Sequence, residues 1–263
     1  MTDPDYLAPL SVQQLGAWYR RLAEFTAQQR VDNQEPLAAQ FLQHWLHNRD
    51  PKSVHRFEAP TYLRSSSHVA SVLQYQRRVF LTEEQARLTG GRREWAGVLP
   101  RLQGSPGFAR WDLRAPTHME YESLVEVGSN AADIARIKQF GTLAEKDLLG
   151  SLRGFQLRSR VVVSGVRLAN SRVRISFLSW SCRISDRYDF DYREFFTVAN
   201  PDHGKEFRDA VRPQDRFIKV YHTNAKRLED AGLAAPYDVV SNEWHVSDAA
   251  VLKPGEVDAT RRL

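Results

Sequence analysis

The spacing of apolar residues changes near Phe155, and no other feature of the sequence constrains the fold as strongly. Upstream of this point, apolar residues recur every three or four positions, as at Leu15, Trp18 and Leu22, which predicts amphipathic helices. Downstream, apolar and polar residues alternate on both sides of a turn at 169–171. This alternation predicts a β-hairpin with one apolar face and one arginine-rich face. We therefore expect an α+β fold, in which a helical N-terminal half packs on a C-terminal antiparallel β-sheet or partly open barrel.

The same change divides the chain into two predicted regions, a mainly helical one over residues 1–150 and a β-rich one over residues 151–263. A chain of 263 residues that is 42% hydrophobic can form one large domain or two smaller ones. In the first region, helices are predicted to begin at Ser11, Pro36 and Ser67. In the second, a short helix is predicted over 225–231 with Asn224 as its N-cap, and the tail beyond Ala249 is expected to fray.

Targeting signals are weak in this sequence. No stretch approaches the roughly 18 to 20 apolar residues of a membrane span, so no transmembrane segment is expected. The acidic, polar N-terminus lacks the charged and apolar segments of a secretory signal peptide, which favours a cytoplasmic location in the producing cell. The single cysteine, Cys182, excludes an internal disulfide.

A group of carboxylates follows the predicted strands, at Asp186, Asp189 and Asp191, with Tyr188 among them. Carboxylate oxygens are the ligands that Mg²⁺ prefers, and the ion can neutralise a phosphoryl group and activate a water molecule. Asp189 and Asp191 share a face of an extended backbone and are the predicted metal ligands. In the alternative interpretation, Asp186 and Asp191 cap turns and pair with nearby arginines, while Tyr188 packs inward.

Two histidines further along the chain, His203 and His222, are the candidates for proton transfer. The predicted catalytic group is completed by Asp186, Tyr188 and Asp189.

Basic residues are unevenly distributed. Between Ser151 and Ser185 there are seven arginines and no acidic residue, although the whole chain has a net charge of only +5. This block can be the solvated face of a β-ribbon or a surface for phosphate groups. Nucleic acid is not favoured as the partner, because no recognition helix, zinc site or stacking motif accompanies the arginines. The predicted substrate-binding residues are Arg172, Arg174, Arg187, Arg208, Lys226 and Arg227.

The run Asp186-Arg187-Tyr188-Asp189-Phe190 resembles the Asp-x-Tyr-Asp-Phe motif in the C-terminal activity domain of the colicin M family, and a Pro-Tyr pair at 236–237 is also similar. The resemblance implies a Mg²⁺-dependent phosphodiesterase that cleaves lipid II, a polyprenyl-pyrophosphate-linked precursor of peptidoglycan, with Asp186, Tyr188 and Asp189 in its site. The family places a His-Arg pair six and seven residues beyond the second aspartate.

In this chain, Phe195 and Phe196 occupy the positions of that His-Arg pair. The nearest substitutes are His203 and Arg208.

Three further segments, at 188–192, 200–202 and 220–229, resemble an uncharacterised bacterial family associated with type VI secretion and polymorphic-toxin loci. This resemblance implies delivery into the periplasm of target bacteria without a signal peptide. It also implies a secretion-apparatus protein and an immunity protein as partners, and an adaptor or loading role for residues 1–150.

The predicted function is that of an antibacterial effector toxin that hydrolyses a phosphate-bearing envelope precursor such as lipid II. The alternative is a non-catalytic, partner-binding component of a bacterial secretion system.

Overall fold

The computed structural model describes residues 5–88, 117–126, 137, 139–152, 154–168, 172–190, 195–203 and 216–258. The helices are α1 (Val12–Gln28), α2 (Leu37–His47), α3 (Thr61–Arg64), α4 (Ser67–Leu88), α5 (Leu143–Ser151), α6 (His222–Asp230) and α7 (Ala249–Leu252). The strands are β1 (Val54–Phe57), β2 (Thr117–Glu126), β3 (Gly154–Arg167), β4 (Arg172–Tyr188), β5 (Phe195–Ala199), β6 (Phe217–Tyr221), β7 (Tyr237–Ser241), β8 (Trp244–His245) and β9 (Gly255–Asp258). Helices lie mainly upstream and strands mainly downstream, which confirms the predicted α+β class.

The chain forms two compact units, each assembled from three segments. Unit 1 contains residues 1–56, 127–153 and 186–240, and unit 2 contains residues 57–126, 154–185 and 241–263. These bounds differ from the predicted regions 1–150 and 151–263, whose separate roles stay a prediction.

The first two helices of unit 1 begin where the sequence predicts, but for different local reasons. Ser11 caps α1 in a capping box: its hydroxyl accepts from the Gln14 N–H at 3.3 Å, and the Gln14 side chain accepts from the Ser11 N–H at 2.9 Å. Helix α2 begins after Pro36 without a side-chain cap of its own. Its free N–H groups at Leu37 and Ala38 donate instead to the buried carboxylate of Asp147 in α5, each at 2.9 Å.

The core of unit 1 is aromatic. Trp18 and Tyr19 of α1 and Trp45 of α2 are fully buried, and their rings meet edge to face at 5.2 and 5.4 Å. The Trp45 indole N–H donates to the carboxylate of Glu229 in α6 at 2.9 Å. This bond links α2 to α6 in the unit that also carries the end of β4.

Helix α6 begins three residues earlier than predicted. Tyr221, the last residue of β6, is its N-cap, so the prediction of Asn224 as the N-cap is wrong. Asn224 is buried inside the helix and donates to the carboxylate of Asp5 at 3.0 Å. Lys226 and Arg227 therefore lie beyond the first turn, where the helix dipole does not oppose their charge. Gly232 follows the helix with a φ of 68°, a left-handed conformation that favours glycine just beyond a helix C-terminus.

Unit 2 is built on the predicted antiparallel hairpin of β3 and β4, with β2 paired along the other edge of β3. Strand β4 runs without a turn from Arg172 to Tyr188, although its register with β3 shifts between Val162 and Val163, where Leu178 is an extra residue on β4. From Ala249 to Asp258 the tail is ordered rather than frayed: it forms α7 and then β9, which pairs with the start of β4. Gln76 of α4 links this helix to β3 by two hydrogen bonds: its side chain accepts from the Ser159 hydroxyl at 2.7 Å and donates to the Leu157 carbonyl at 3.2 Å.

Candidate functional site

The acidic residues that the sequence singles out lie at the end of β4. Asp186 and Tyr188 are two residues apart in this strand and share one of its faces, whereas Arg187 belongs to the other face. Arg187 forms an ion pair of 2.8 Å with Asp238 of β7 and donates to the Pro51 carbonyl at 3.2 Å. The guanidinium of Arg187, a predicted substrate-binding residue, is therefore bound to acceptor groups within the protein.

Asp186 is a half-buried carboxyl that titrates near neutral pH. Burial raises its pKa to about 7, a hydrogen bond from the Arg187 backbone opposes this rise, and the charge of Asp189 adds to it. Asp189 follows the end of the strand and is exposed. A carboxyl that exchanges its proton near pH 7, beside a second carboxylate, has the properties of a general acid or base.

Tyr188 packs in an aromatic cluster. Its ring centroid lies 5.4 Å from that of Tyr237, 5.8 Å from Phe41 and 5.6 Å from Phe190. Burial raises the pKa of its phenol well above the ordinary value, so the hydroxyl stays neutral at physiological pH. These contacts are the ones expected if the side chain packs inward, and a contact with substrate stays a prediction.

The two candidate histidines occupy different surroundings. His222, the first residue of α6, has its ring centroid 5.2 Å from Phe190 and 5.5 Å from Phe196. Since Phe190 also contacts Tyr188, the fold joins His222 to the end of β4 through one aromatic ring. His203 is exposed on the turn after β5, and among the described residues it makes no ring contact or ion pair with the β4 carboxylates.

The predicted substrate-binding arginines of the hairpin are paired within unit 2. Arg172 and Arg174 both form ion pairs with Glu256 of β9, at 3.1 and 3.0 Å. All three side chains are partly exposed, so these pairs are weak and solvent can compete for them.

The predicted cations of α6 are likewise held by unit 1. Lys226 forms an ion pair with Glu229 at 2.8 Å. The Arg227 guanidinium donates to the Leu7, Ala8 and Leu10 carbonyls, the first two at 3.4 and 3.2 Å. It therefore fastens the segment before α1 to α6.

Two further predicted residues, Arg208 and Asp191, lie outside the described residues.

The structure brings together a histidine pair that the sequence did not suggest. The rings of His44 in α2 and His55 in β1 are 4.3 Å apart, and the Nε2 atom of each is buried without a hydrogen bond to any residue that the structure describes. Burial lowers the pKa of both, and repulsion from His47 and from His44, respectively, lowers them further. Tyr237 covers the pair, with its ring 4.4 Å from His44 and its hydroxyl donating to the Phe41 carbonyl at 2.7 Å.

Local spacing could not have found this pair. His44 and His47 share a helix face in the sequence pattern, but His47 is exposed and its Nδ1 lies 2.7 Å from the Gln43 carbonyl. His55 reaches His44 only because β1 lies next to β7, where the Asp238 N–H donates to the Ser53 carbonyl at 3.0 Å.

Three arginines of β3 and β4 line a small cavity in unit 2. Cys182, which also borders it, is buried, and burial raises the pKa of its thiol to about 12, so it is not a nucleophile at neutral pH. The residues around the cavity are Arg158, Arg160, Ser181, Cys182, Arg183 and Glu243.

The charges around this cavity follow the sheet register. Arg158 lies directly opposite Arg183 on β4, an unfavourable pairing by itself. On the other side of β3, Glu122 is the register partner of Arg158, and Glu120 is that of Arg160. Each of these two β3 arginines therefore has an acidic residue as its register partner on β2, while Arg183 of β4 adds a like charge opposite Arg158.

A Mg²⁺ site at the end of β4 would have few protein ligands. Among the described residues, no three histidine, cysteine, aspartate or glutamate side chains form a group that could hold a metal ion. Mg²⁺ commonly takes only one or two carboxylates and completes its shell with water and substrate phosphate. The exposed Asp189 fits such a shell, and a cation there would relieve its repulsion with Asp186. The second predicted ligand, Asp191, is not among the described residues.

Comparison with known proteins adds no assignment to this geometry. The chain matches no protein-family model, no curated protein and no solved structure. The resemblances to the colicin M family and to the secretion-associated family therefore rest on the quoted motifs alone. In the part of the chain that the structure describes, no helix has both the length and the apolar character needed to cross a membrane.

Proposed function

We propose that this protein is an antibacterial effector that hydrolyses a phosphate ester or anhydride of an envelope precursor such as lipid II. One observation carries the proposal: the half-buried carboxyl of Asp186, whose pKa is raised to about 7, lies beside Asp189 at the end of β4. This pair belongs to the motif that resembles the colicin M family. A carboxyl group whose pKa lies near the working pH is partly ionised and still basic enough to accept a proton, as a general base must.

In the proposed reaction, water attacks phosphorus and the bond from phosphorus to the leaving oxygen breaks. Ionised Asp186 accepts the proton that the attacking water loses. His222, joined to the site through Phe190, returns a proton to the leaving oxygen. Mg²⁺ held by Asp189, with Asp191 as the second predicted ligand, would supply charge neutralisation at the phosphoryl group.

The remaining assignments belong to the same proposal. The substrate is polyprenyl-pyrophosphate-linked, and the predicted cations bind its phosphates after exchanging their internal partners for it. The protein is made in the producer's cytoplasm and delivered to the periplasm of target bacteria. A secretion-apparatus protein recognises it, and an immunity protein protects the producer.

A non-catalytic, partner-binding component of a secretion system is the second candidate. It is favoured by the internal pairing of the predicted substrate-binding cations. Each of those that the structure describes already bonds to an acceptor of the protein itself: Arg172, Arg174, Arg187, Lys226 and Arg227. This candidate predicts a stable complex with a secretion protein and no hydrolysis.

The first test is hydrolysis of purified lipid II with Mg²⁺, measured as release of a soluble phosphorylated product. Asp186→Asn keeps the size of the side chain and removes its proton exchange, so we expect a rate at least about 100-fold lower. Asp230→Asn, an exposed carboxyl at the end of α6, is the matched control and should retain full activity. Absence of product from the unaltered protein would contradict the proposal.

A second test separates the compartments. The protein is expressed in a susceptible bacterium with and without an added export signal, and growth is recorded. We expect toxicity only after export, and its loss in Asp189→Ala with the fold intact by circular dichroism. Growth arrest without export would point to a cytoplasmic target, and no arrest in either case would favour the partner-binding candidate.

A further inference from the structure

The ribbon of β5 and β6 in unit 1 has one buried face. Side chains alternate in both strands, and the inward positions on β6 are Ile218 and Val220, which are 1% and 0% exposed. Their register partners on β5 are Val198 and Phe196. This face accounts for the attachment of the ribbon to its unit.

The opposite face is aromatic where a one-sided ribbon is usually polar. Phe195 and Phe217 stand at its two ends, 44% and 59% exposed. Their register partners, Tyr221 and Ala199, lie on the same face. Two large apolar rings thus remain in water on a ribbon whose other face already supplies the core contacts.

Each exposed ring has a cation over it. The Lys219 ammonium lies 4.9 Å from the ring centroid of Phe195, and the Arg216 guanidinium lies 5.6 Å from that of Phe217. We call the surface formed by Phe195, Arg216, Phe217 and Lys219 the aromatic–cation face. This surface combines exposed apolar rings, which gain free energy when they are removed from water, with positive charges directly beside them.

We propose that the aromatic–cation face docks on an anionic membrane surface. At a lipid–water interface, phenylalanine rings enter the boundary of the acyl chains, while Lys and Arg extend toward lipid phosphates. Attraction to anionic lipids adds to the apolar contact. Binding of single-stranded nucleic acid fits less well, because bases stack on open ring faces and here the protein's own cations lie over both rings. The proposal does not depend on hydrolase activity.

The binding test uses vesicles and no substrate. The full chain is mixed with vesicles of phosphatidylglycerol and phosphatidylethanolamine, or of phosphatidylcholine alone, and bound protein is measured by flotation. We expect binding to the anionic vesicles that weakens with salt. Replacing both exposed rings, Phe195→Ser with Phe217→Ser, should lower the partition by about tenfold or more.

The matched control is Phe140→Ser. Phe140 is 74% exposed and belongs to the same unit, but it lies outside the aromatic–cation face. It should leave vesicle binding unchanged. Equal loss in this control would show unspecific apolar adsorption and overturn the proposal.

A second measurement locates the contact. Because Cys182 is buried with a raised pKa, a cysteine introduced by Phe217→Cys can be labelled selectively with an environment-sensitive fluorophore. With anionic vesicles, its emission should shift to the blue and be quenched by brominated lipids, whereas a label at Phe140→Cys should not respond.

Three further outcomes would overturn the proposal. They are the absence of binding to anionic vesicles, equal responses of the two labels, and binding of a single-stranded oligonucleotide but not of vesicles that is lost in the Phe195→Ser, Phe217→Ser variant. Vesicle binding without lipid II hydrolysis would leave this proposal standing and remove only the proposed enzymatic function.

Discussion

At the scale of single residues, buried polar groups decide which parts of unit 1 are held firmly and which respond to pH. Asp147 is 6% exposed, and both of its carboxylate oxygens accept backbone N–H bonds. The imidazoles of His44 and His55 differ from this carboxylate, because each has a buried nitrogen without a hydrogen bond to any described residue. The first arrangement stabilises the fold, and the second makes it sensitive to protons.

Asp147→Ala should destabilise the protein by about 2–3 kcal/mol, because it leaves the N–H groups of Leu37 and Ala38 without their charged acceptor at a helix N-terminus. Chemical denaturation with the fluorescence of the buried tryptophans measures the change. Asp147→Asn, which keeps one acceptor oxygen, should cost less. Asp230→Ala, at an exposed position, is the control, and an equal loss there would contradict the capping role.

Acidification should destabilise the protein through His44 and His55. Their pKa values are lowered in the folded state, so the unfolded chain binds protons first. Above the ordinary histidine pKa of about 6.5, both side chains are neutral in the folded and the unfolded chain, and the free energy of unfolding has its full value. As the pH falls from there through the lowered pKa values of the folded state, this free energy decreases.

The measurement is the drop in Tm between pH 8 and pH 5. This drop should be smaller in a His44→Leu, His55→Leu variant than in the unaltered protein. His47→Leu, at an exposed position of the same helix, removes only the smaller contribution to the lowered pKa of His44, so it should reduce the drop much less than the double variant does. A drop of equal size in the double variant would rule out the buried pair as its source.

At the scale of elements, the C-terminal strand β9 depends on a close approach to α4 in unit 2. A Cβ atom at Gly255 would come within 2.7 Å of a methyl carbon of Leu81. The absence of a side chain at Gly255 therefore allows β9 to pair with β4 beneath that leucine. The neighbouring ion pairs of Glu256 lie near the surface and contribute little by comparison.

Gly255→Val should destabilise unit 2 by about 1–3 kcal/mol through overpacking. Combined with Leu81→Ala, it should cost less than the sum of the two single changes, because the shortened side chain makes room for the new one. A double-mutant cycle by urea denaturation measures the coupling. Glu256→Gln is the control, with an expected change below about 1 kcal/mol, and purely additive costs would exclude the contact.

At the scale of the whole molecule, the course of the chain differs from the division that the sequence suggests. Unit 1 combines residues 1–56 and 127–153 with residues 186–240. Unit 2 combines residues 57–126 with residues 154–185 and 241–263. In unit 1, Trp45 is bound to Glu229, and in unit 2, Gln76 is bound to Ser159. Core contacts of both units thus join residues on either side of position 150.

Separate fragments 1–150 and 151–263 should therefore not fold on their own. Each would expose the apolar surfaces of two incomplete cores, so we expect low solubility, poor chemical-shift dispersion and no cooperative thermal transition. Mixing the fragments should recover structure in part. A fragment 151–263 with a cooperative transition of its own would show that the predicted β-rich region is an independent domain.

The predicted elements that proved correct are those with a long local pattern. Helices α1, α2 and α4 and the hairpin of β3 and β4 follow from periodicity and end signals within a few residues. The start of α6 was missed because β6 leads into it without a turn residue, so that Tyr221 both ends the strand and caps the helix. The order at the C-terminus was missed because β9 forms only when β4 is present to pair with it.

The fold class and the periodic elements follow from local sequence patterns, because each depends on neighbours close along the chain. The same is true of the position of Asp186, Tyr188 and Asp189 at the end of a strand. The side chains that surround this strand end are set by tertiary contacts. His44, His55 and Tyr237 meet there, the predicted cations find internal partners, and two phenylalanines of the β5–β6 ribbon remain exposed. These outcomes depend on contacts between residues far apart in sequence, and no local pattern of residues encodes such contacts.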